Sequence, residues 1–357
     1  MMKRLLNVAP DQELNLLMSD PLTITPEGLY SPAARAHIDP VRPVERAVVT
    51  HGHADHARAG HGAVLATRQT LDIMAIRYGE NFCGTAQAVD FGETLRVGDV
   101  DVSLHPAGHV LGSAQVLLQT GVQRVVISGD YKRQSDPTCA PFEPVPCDTF
   151  VTEATFGLPV FRHPPARLEI AKLLSSLDLF PEQTHLVGAY ALGKAQRVIA
   201  EIRAAGYGKA IYLHGALERL TDYYQAQGID LGLLEPVGKR GKELQGEIII
   251  CPPGQLSDRW ARRFGDPVAA MASGWMRVRA RARQRGAELP LIISDHADWD
   301  DLCRTILQTG AEQIWVTHGA EEALVHWCEL NGRKARPLNM IGYDDGEDTD
   351  DVHATES

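Results

Sequence analysis

The sequence lacks the features of a membrane-spanning or disulfide-linked protein. None of its apolar stretches approaches the 18 residues of a transmembrane helix, and no apolar run of signal-peptide length precedes Asp11. Its six cysteines lie far apart and form no Cys-x-x-Cys pair. This spacing favours reduced thiols, so we expect a cytoplasmic protein that does not associate with membranes.

Composition excludes further classes of protein. Of the 357 residues, 44% are hydrophobic and 23% are charged, which argues against a disordered chain, a collagen-like fibre and a coiled coil. The sequence contains no internal repeat of fixed period. Its length is sufficient for about two domains, each with its own core.

Acidic residues outnumber basic ones, and the excess is unevenly distributed. The net charge of −11 comes from 35 Lys and Arg against 46 Asp and Glu, which at first argues against a nucleic-acid partner. Seven of the acids lie in residues 344–357, which contain no Lys or Arg. We predict that this segment is a disordered acidic tail, and the rest of the chain carries only −4.

The pattern of apolar residues changes along the chain. Residues 46–152 indicate short strands, among them an alternating run over 95–104 that predicts a single strand. From residue 166 onward, predicted helices alternate with short apolar strands, as in 166–179 followed by 185–188. Such alternation is typical of a parallel sheet with helices packed against it.

The strongest motif is His-Gly-His-Ala-Asp-His at residues 51–56, directly after a predicted strand. In an extended loop, His51, His53 and Asp55 can share one side while His56 points to the other. This arrangement suits two adjacent metal ions better than one. Imidazole and carboxylate ligands favour zinc or a similar divalent ion, with manganese as the alternative.

Additional ligands lie near the ends of other predicted strands. His109 lies between two strands, Asp130 follows one in Ser-Gly-Asp-Tyr, and His318 ends the last strand in Val-Thr-His-Gly. Each of them alone is more often a structural polar residue. Together with residues 51–56 they predict a complete two-metal site, in which a carboxylate such as Asp130 can bridge both ions.

These residues resemble the motifs of the metallo-β-lactamase superfamily and, more narrowly, of its β-CASP nucleases. The residues that match the superfamily's first four motifs are Asp39, 50–56, His109 and Asp130. The residues that match β-CASP motifs A, B and C are Glu153, His296 and His318. Residues 191–197 and 273–276 are also similar to β-CASP segments, so the resemblance covers about residues 20–340.

Among β-CASP proteins, residues 28–40 and the compact length are most similar to bacterial ligase-associated DNA exonucleases, relatives of the Artemis-type repair nucleases. One residue favours RNA instead. Artemis-type DNA enzymes carry Val at motif C, whereas RNA-processing enzymes carry His, and this chain has His318. DNA and RNA therefore both stay open as substrates.

The resemblance implies an α/β fold, an αββα metallo-β-lactamase sandwich with an inserted β-CASP cap domain. We expect residues 1–165 and 288–343 to form the sandwich and residues 166–287 to form the β-CASP domain. Substrate would enter the cleft between the two.

The resemblance also implies a division of the metal ligands. One ion would be held by the imidazoles of His51, His53 and His109. The other would be held by the side chains of Asp55, His56 and His318. Asp130 would bridge the ions, and Asp39 would orient a ligand imidazole, with a turn residue before Pro40 as its alternative role.

The implied function is a DNA exonuclease of DNA repair that cleaves from 5′ to 3′. Two divalent ions would offset phosphate charge and lower the pKa of the attacking water, so that hydroxide attacks in a site that includes Asp55. His296 is the predicted general acid, and Glu153 would orient it or raise its pKa. The alternatives are a third-ion ligand or structural role for His296 and a salt bridge for Glu153.

Basic residues predict where nucleic acid would bind. Five arginines occupy every second position: Arg277, Arg279, Arg281, Arg283 and Arg285. On an extended strand all would project from one face toward a phosphate backbone, whereas on a helix they would scatter as a solvated surface. Lys194, near the start of a predicted helix, is expected to contact phosphate or to lie on the surface.

Alternative functions follow from the same residues. An RNA-processing β-CASP ribonuclease comes second, and a small-molecule metallohydrolase or a scaffold without catalysis is less well supported. The resemblance also implies association with a DNA ligase or helicase, and it leaves the oligomeric state open. Two bound divalent ions would bring the body of the chain close to neutrality, so the net charge does not exclude nucleic acid.

Overall fold

A computed structural model of the chain describes residues 20–121 and 123–340. The predicted acidic tail, residues 344–357, lies outside the described residues. Within the described part, three β-sheets and seven α-helices form. The helices are α1 (Arg68–Tyr78), α2 (Ala166–Leu179), α3 (Lys194–Ala204), α4 (Gly215–Ala226), α5 (Arg279–Gln284), α6 (Trp299–Thr309) and α7 (Glu321–Leu330). The predicted α/β fold class is confirmed.

The first sheet consists of six strands that neighbour one another in chain order. They are β1 (Thr23–Thr25), β2 (Gly28–Ser31), β3 (Ala36–Ile38), β4 (Arg46–Val48), β5 (His61–Ala66) and β6 (Cys83–Ala88). Strands β3 to β6 run parallel. Helix α1 begins after Thr67, whose hydroxyl accepts a hydrogen bond from the Thr70 amide, and its apolar side chains pack on the outer face of this sheet.

The second sheet combines strands from two distant parts of the chain. They are β7 (Thr94–Val97), β8 (Val100–Pro106), β9 (Ala114–Thr120), β10 (Gln123–Ile127), β11 (Thr149–Ala154), β18 (Gln313–Gly319) and β19 (Lys334–Pro337). One face packs on the first sheet through residues such as Ile38, Leu118 and Val151. The other face packs against α6 and α7. The two sheets and their outer helices form an αββα sandwich.

The third sheet is entirely parallel and interrupts the second in sequence. It consists of β12 (His185–Gly188), β13 (Ile211–Leu213), β14 (Leu234–Pro236), β15 (Ile248–Cys251), β16 (Val268–Ala272) and β17 (Leu289–Leu291). Helices α2, α3 and α4 cover one face, and short 3₁₀ helices, among them Lys242–Leu244 and Ala261–Phe264, cover the other. Because β11 pairs directly with β18, the third sheet is inserted between two neighbouring strands.

The predicted domain limits are not tested by this arrangement and stay a prediction. Strand β17 belongs to the third sheet, although the predicted inserted domain ends at residue 287. None of the helices in the part of the chain that the structure describes is long and apolar enough to cross a membrane.

The structure corrects one sequence-based expectation of local structure and decides between two alternatives for another. Residues 95–104 form the antiparallel pair β7 and β8 rather than one strand, because Gly98 adopts a φ of 59° and turns the chain between Val97 and Val100. The arginine-rich segment is helical rather than extended, with a 3₁₀ turn at Gly274–Arg277 followed by α5. Alternating Arg and Ala are both good helix formers, so the five arginines scatter around a helix and form no one-sided stripe.

Candidate metal centre

The seven predicted metal ligands gather where strands of the first and second sheets end. Residues 51–56 follow β4, Asp130 follows β10, His318 lies near the end of β18, and His109 lies in the loop between β8 and β9. Each strand has an apolar sequence that fixes it in the sandwich core, and the polar residues begin where the strand stops. All seven side chains are at least half-buried, and those of His51, His109 and Asp130 are at most 4% exposed.

Three imidazoles meet at one point of this cluster. His53 Nδ1 lies 3.1 Å from His51 Nε2 and 3.0 Å from His109 Nε2. The outer nitrogens of two of these rings face backbone carbonyls, with His53 Nε2 at 3.2 Å from Leu192 O and His109 Nδ1 at 2.8 Å from Asp295 O. A carbonyl oxygen can only accept a hydrogen bond, so each outer nitrogen carries the ring's hydrogen.

This pattern of hydrogen bonds leaves facing lone pairs inside the cluster. In neutral His53 and His109, the inner nitrogens cannot bond to each other, because both are acceptors. Nitrogen atoms about 3 Å apart with lone pairs directed to a common point suit a divalent cation with bonds of about 2.0–2.1 Å. The three imidazoles together with Asp130 have ligand atoms within 4.8 Å of one another and could hold a metal ion.

Asp130 lies between this group and a second one. Its Oδ2 is 3.6 Å from His51 Nε2 and 3.4 Å from His56 Nε2, while its Oδ1 is 3.7 Å from His318 Nδ1. His56, Asp130 and His318 therefore form a second group that could hold an ion. The preceding Gly129 has a φ of 54°, and a Cβ there would lie 2.7 Å from the Thr50 side chain, so glycine is required for this approach.

Asp39 and Asp55 support the second group. Asp39 Oδ2 is 2.8 Å from His56 Nδ1, and the same carboxylate accepts hydrogen bonds from the amide and hydroxyl of Thr50 at 2.7 and 2.6 Å. Its φ of 46° is rare outside glycine, which indicates that these bonds hold the backbone in place. Asp55 Oδ2 lies 3.5 Å from His56 Nε2. The Asp55 contact is to the ring nitrogen that also faces Asp130, and Asp55 is not among the residues grouped with His56. The Asp39 contact, to the opposite ring nitrogen, fixes the imidazole and raises its basicity.

His296 and Glu153 form a buried pair beside the two groups. Glu153 Oε2 lies 3.0 Å from His296 Nδ1, and Glu153 Oε1 accepts the Tyr131 amide at 2.7 Å. His296 Nδ1 is 3.9 Å from Asp130 Oδ2, and the rings of His296 and His109 are 4.7 Å apart. Asp130, Glu153 and His296 also form a third set that could hold an ion. The geometry thus agrees with His296 as a general acid paired with Glu153 and also with His296 as a ligand of a third ion.

The histidines of the two groups differ in how readily they are protonated, because their surroundings differ. Burial, together with neighbouring imidazoles, holds the pKa values of His51 and His109 well below that of an ordinary histidine. Burial has the same tendency at His56, but Asp130, Asp55 and Asp39 raise its pKa well above the usual value. Burial alone would raise the pKa of Asp130, yet His56 and His296 hold it well below the usual value. Asp130 is therefore ionised at neutral pH, as a bridging ligand requires.

A second buried cluster consists of charged residues and lies behind the metal ligands. Its members are Lys132, Asp136, Lys194, Arg197 and Asp295, all with 9% exposure or less. Lys132 pairs with Asp136, and Arg197 Nε is 3.6 Å from Asp136 Oδ2 and its Nη1 3.7 Å from Asp295 Oδ1. Arg197 also donates to the Ser294 carbonyl. The cluster connects α3 to the loop that carries His296.

Lys194 belongs to this cluster, which corrects its predicted position. It is only 1% exposed, and its ammonium lies 3.2 Å from Asp295 Oδ2 and donates to Ile293 O at 3.2 Å. An ammonium held in this way does not face solvent, so the expectation of a surface lysine or a phosphate contact is wrong.

Sequence analysis missed several contributors to the site. The carbonyls of Leu192 and Asp295 orient two metal ligands, but a carbonyl contact leaves no sequence signature. Asp136 was not recognised. Asp295 was not predicted either, and Arg197 was included only within the β-CASP-like segment 191–197. Their signal was the presence of charged residues inside otherwise apolar or small-residue stretches. His214, whose sequence context copies that of His318, instead caps α4 by accepting the Ala216 amide.

Searches of characterised proteins find relatives along most of the chain. Over 300 residues, 82% of this chain, it is 28% identical to a protein of Opitutus terrae named a probable DNA ligase. It is 29% identical to a ribonuclease of Thermus thermophilus, covering 85% of this chain and 88% of the ribonuclease. An endoribonuclease of Aspergillus fumigatus is 32% identical over 32% of this chain. The chain spans only 28% of the Opitutus protein and 13% of the Aspergillus protein.

Other comparisons add the fold alone. A solved structure of a protein of unknown function from Enterococcus faecalis superimposes with a TM-score of 0.50 at 11% identity, covering 76% of this chain and 74% of that protein. No family model matches the chain.

The αββα sandwich with a His- and Asp-rich cluster at its strand ends is the arrangement that the resemblance to the metallo-β-lactamase superfamily predicts. With its inserted parallel sheet and these relatives, the chain is related to the β-CASP group of that superfamily. The predicted resemblance is confirmed.

Proposed function

We propose that the chain is a metal-dependent phosphodiesterase that acts as a DNA exonuclease in DNA repair, cleaving from 5′ to 3′. The observation that carries this proposal is the pair of metal-binding groups around Asp130 with the His296–Glu153 pair beside them. Its relatives are named as a DNA ligase and as ribonucleases, which supports action on nucleic acid.

The donor set supports two divalent ions, zinc or alternatively manganese, as predicted from the residues. His51, His53 and His109 would hold one ion. Asp55, His56 and His318 would hold the other. When bound, such ions neutralise phosphate charge and lower the pKa of the attacking water. Asp130 would bridge both positions, and Asp39 would keep His56 directed at its ion.

His296 would act on the leaving oxygen. Its Nδ1 faces Glu153 Oε2 at 3.0 Å, so Glu153 accepts the Nδ1 hydrogen and stabilises a positive ring. The proton transferred to the leaving oxygen would then come from Nε2. Glu153 is itself held by the Tyr131 amide and is fully buried, so it acts as a positioning residue.

RNA is the second candidate substrate. His318 occupies the motif C position where the sequence resemblance favours RNA-processing enzymes, and the ribonuclease of Thermus thermophilus covers 85% of this chain. We keep a DNA ligase or helicase as a proposed partner and the cytoplasm as the proposed location. The division into a sandwich domain and an inserted cap domain at residues 166–287 is part of the same proposal.

Parallel assays on end-labelled single-stranded DNA and RNA of the same sequence test the function. With Zn²⁺ or Mn²⁺ added, we expect stepwise shortening of DNA from the 5′ end and slower cleavage of RNA. Asp130→Asn is the inactive control, because it removes the bridging charge. A preference for RNA would replace the first candidate by the second, and hydrolysis of neither polymer would contradict both.

A further inference from the structure

A cavity of about 430 Å³ lies in the part of the fold formed by the third sheet. Its volume is within the range of about 300–1,000 Å³ that is typical of small-molecule sites. Tyr190 and Trp275 provide aromatic surface, and Arg281 and Arg285 provide positive charge. Among the described residues that line it, none is acidic. This chemistry favours a ligand that has both a flat ring and an anionic group.

The aromatic wall is fixed by packing against the metal site. Trp275 packs against Phe156 and Phe161, with ring centroids 4.8 and 5.1 Å away. Phe156 in turn lies 6.2 Å from the His296 ring. A side chain at Gly274 would collide with the Phe156 ring, so the absence of a Cβ allows this close approach. Two aromatic rings in contact, those of Trp275 and Phe156, therefore connect the cavity wall to His296.

A second connection runs through the loop after β12. Tyr190 lies two residues before Leu192, whose carbonyl faces the ligand histidine His53 at 3.2 Å. Both sides of the cavity are thus held by segments that also position metal-site residues. A group seated in the cavity has a fixed position relative to the centre where a phosphodiester would be cleaved.

Two arginines form the positively charged side of the cavity. The Arg281 guanidinium lies 3.7 Å from the centroid of the Trp275 ring, so it stacks on the indole and covers this face. Arg285, one turn further along α5 and beyond its last residue, is exposed. Guanidinium groups bind phosphate through two parallel hydrogen bonds, and aromatic faces stack on nucleobases of any sequence.

We infer that this cavity is a nucleotide subsite, in which a phosphate binds Arg281 and Arg285 and draws Arg281 off the indole, so that a base stacks on the Tyr190 and Trp275 wall. It would hold one nucleotide of the strand next to the scissile phosphate. The inference rests on the proposed nuclease function and adds to it a site that binds a nucleotide without the metal ions. It also assigns separate roles to the five arginines, because only two of them line the cavity.

Binding of mononucleotides to the full chain tests the subsite directly. Adenosine 5′-monophosphate, its 2′-deoxy analogue, adenosine and inorganic phosphate are titrated by calorimetry, with and without excess chelator. We expect both nucleotides to bind in chelator, about tenfold more tightly than adenosine or phosphate alone. The two nucleotides report whether the subsite distinguishes RNA from DNA.

Matched variants locate the binding. Arg281→Gln and Arg285→Gln should each weaken nucleotide binding about tenfold, since a charge-assisted contact is lost. Arg283→Gln, on the same helix and with the same change of charge, lies outside the cavity lining and should leave binding unchanged. Trp275→Leu should also weaken binding, and its melting temperature shows whether the fold persists. If it does not fold, the arginine variants decide.

Three outcomes would overturn the subsite: loss of nucleotide binding in chelator, equal weakening by Arg283→Gln, or unchanged binding in both Arg281→Gln and Arg285→Gln. The proposed function is tested separately by cleavage. If metal-loaded protein cleaves nucleic acid while the cavity variants bind nucleotide normally, the subsite fails and the function stands. If nucleotide binding depends on the cavity but no phosphodiester is cleaved, the subsite stands and the function fails.

Discussion

The two buried polar clusters of this molecule differ in how their charges are balanced. The cluster around Asp130 directs the inner nitrogens of His51 and His109 at His53 Nδ1, at 3.1 and 3.0 Å. The cluster around Asp295 matches Lys132, Lys194 and Arg197 against Asp136 and Asp295. The first is built to receive a cation, whereas the second pairs its own cations with carboxylates and serves to hold structure.

One stretch of backbone connects the two clusters. The carbonyls of Ile293 and Ser294 accept hydrogen bonds from Lys194 and Arg197, respectively. The carbonyl of Asp295 accepts a hydrogen bond from His109. His296 follows directly. The charged cluster therefore fixes the loop that carries two parts of the site. These are the Asp295 carbonyl, which orients His109, and His296, the candidate general acid. Substitutions in one cluster at a time test whether the first cluster acts in catalysis and metal binding and the second in stability.

The largest expected effect is on catalysis by His296→Ala. Loss of a general acid should reduce kcat about 10²- to 10⁴-fold while metal content stays near that of the wild type. Steady-state kinetics with metal analysis of the same preparations measures both quantities. Parallel loss of metal and activity would instead identify His296 as a ligand of the third group, and Glu153→Gln should then lose metal as well.

The charged cluster should control stability rather than metal binding. Asp295→Asn leaves buried cations without their carboxylate, so we expect the free energy of unfolding to fall by about 3–5 kcal/mol. Burial would raise the pKa of Asp295, but Lys194, Lys132 and Arg197 keep it below the usual range, which shows how strongly these cations interact with it. Urea unfolding in the presence of chelator measures the effect without a contribution from metal.

An exposed ion pair provides the control for this variant. Arg35 and Asp99 lie 3.0 Å apart, and both side chains are 65% exposed. Arg35→Ala should change the free energy of unfolding by no more than about 1 kcal/mol, because solvent screens the pair. If Asp295→Asn had an equally small effect, the charged cluster would not stabilise the fold.

A smaller effect is expected at Asp39, whose carboxylate contacts His56 at the ring nitrogen that does not face Asp130. Asp39→Asn keeps the shape of the side chain but removes the negative charge 2.8 Å from His56 Nδ1. Metal affinity should fall about 10- to 100-fold, with the fold intact. Competition with a coloured chelator measures this affinity, and the same substitution at exposed Asp99 serves as a control. Unchanged affinity in Asp39→Asn would assign Asp39 to the backbone turn alone.

The metal cluster was predictable from sequence because its residues mark the ends of apolar strands. Residues 51–56 place four donors in one loop, and Asp130 and His318 follow strands whose patterns are clear. The charged cluster was not predictable, because Lys194 and Arg197 belong to a residue class that is normally exposed. Their partners lie about 60 to 100 residues away, at Asp136 and Asp295. No local pattern encodes such contacts.

The conformation of the basic segment stayed open at the level of sequence for a different reason. Alternating Arg and Ala fit a strand by periodicity and a helix by propensity, and over so few residues the helix forms. The same ambiguity does not arise at α2, where the predicted bounds, Ala166–Leu179, agree with the structure. Length and an apolar face, which packs on the third sheet, decide the conformation there.

The smallest and most specific expectation concerns pH, because the two metal groups hold protons differently. In the metal-free protein, His56 has a pKa well above the usual value and carries a proton at neutral pH, whereas His51 and His109 have lowered pKa values and are neutral. A metal ion must displace the His56 proton, so affinity at the His56 group should rise as pH increases through the neutral range. Affinity at the other group should decrease only in acid.

Calorimetric titration of Zn²⁺ in buffers with different ionisation enthalpies measures the protons released at each step. We expect about one proton on filling the His56 group near neutral pH and fewer on filling the group of His51, His53 and His109. Asp39→Asn should reduce the release at the His56 group, because that carboxylate helps to raise the His56 pKa. Equal proton release at both groups would mean that the carboxylates do not distinguish them, and the division of ligands around Asp130 would have to be revised.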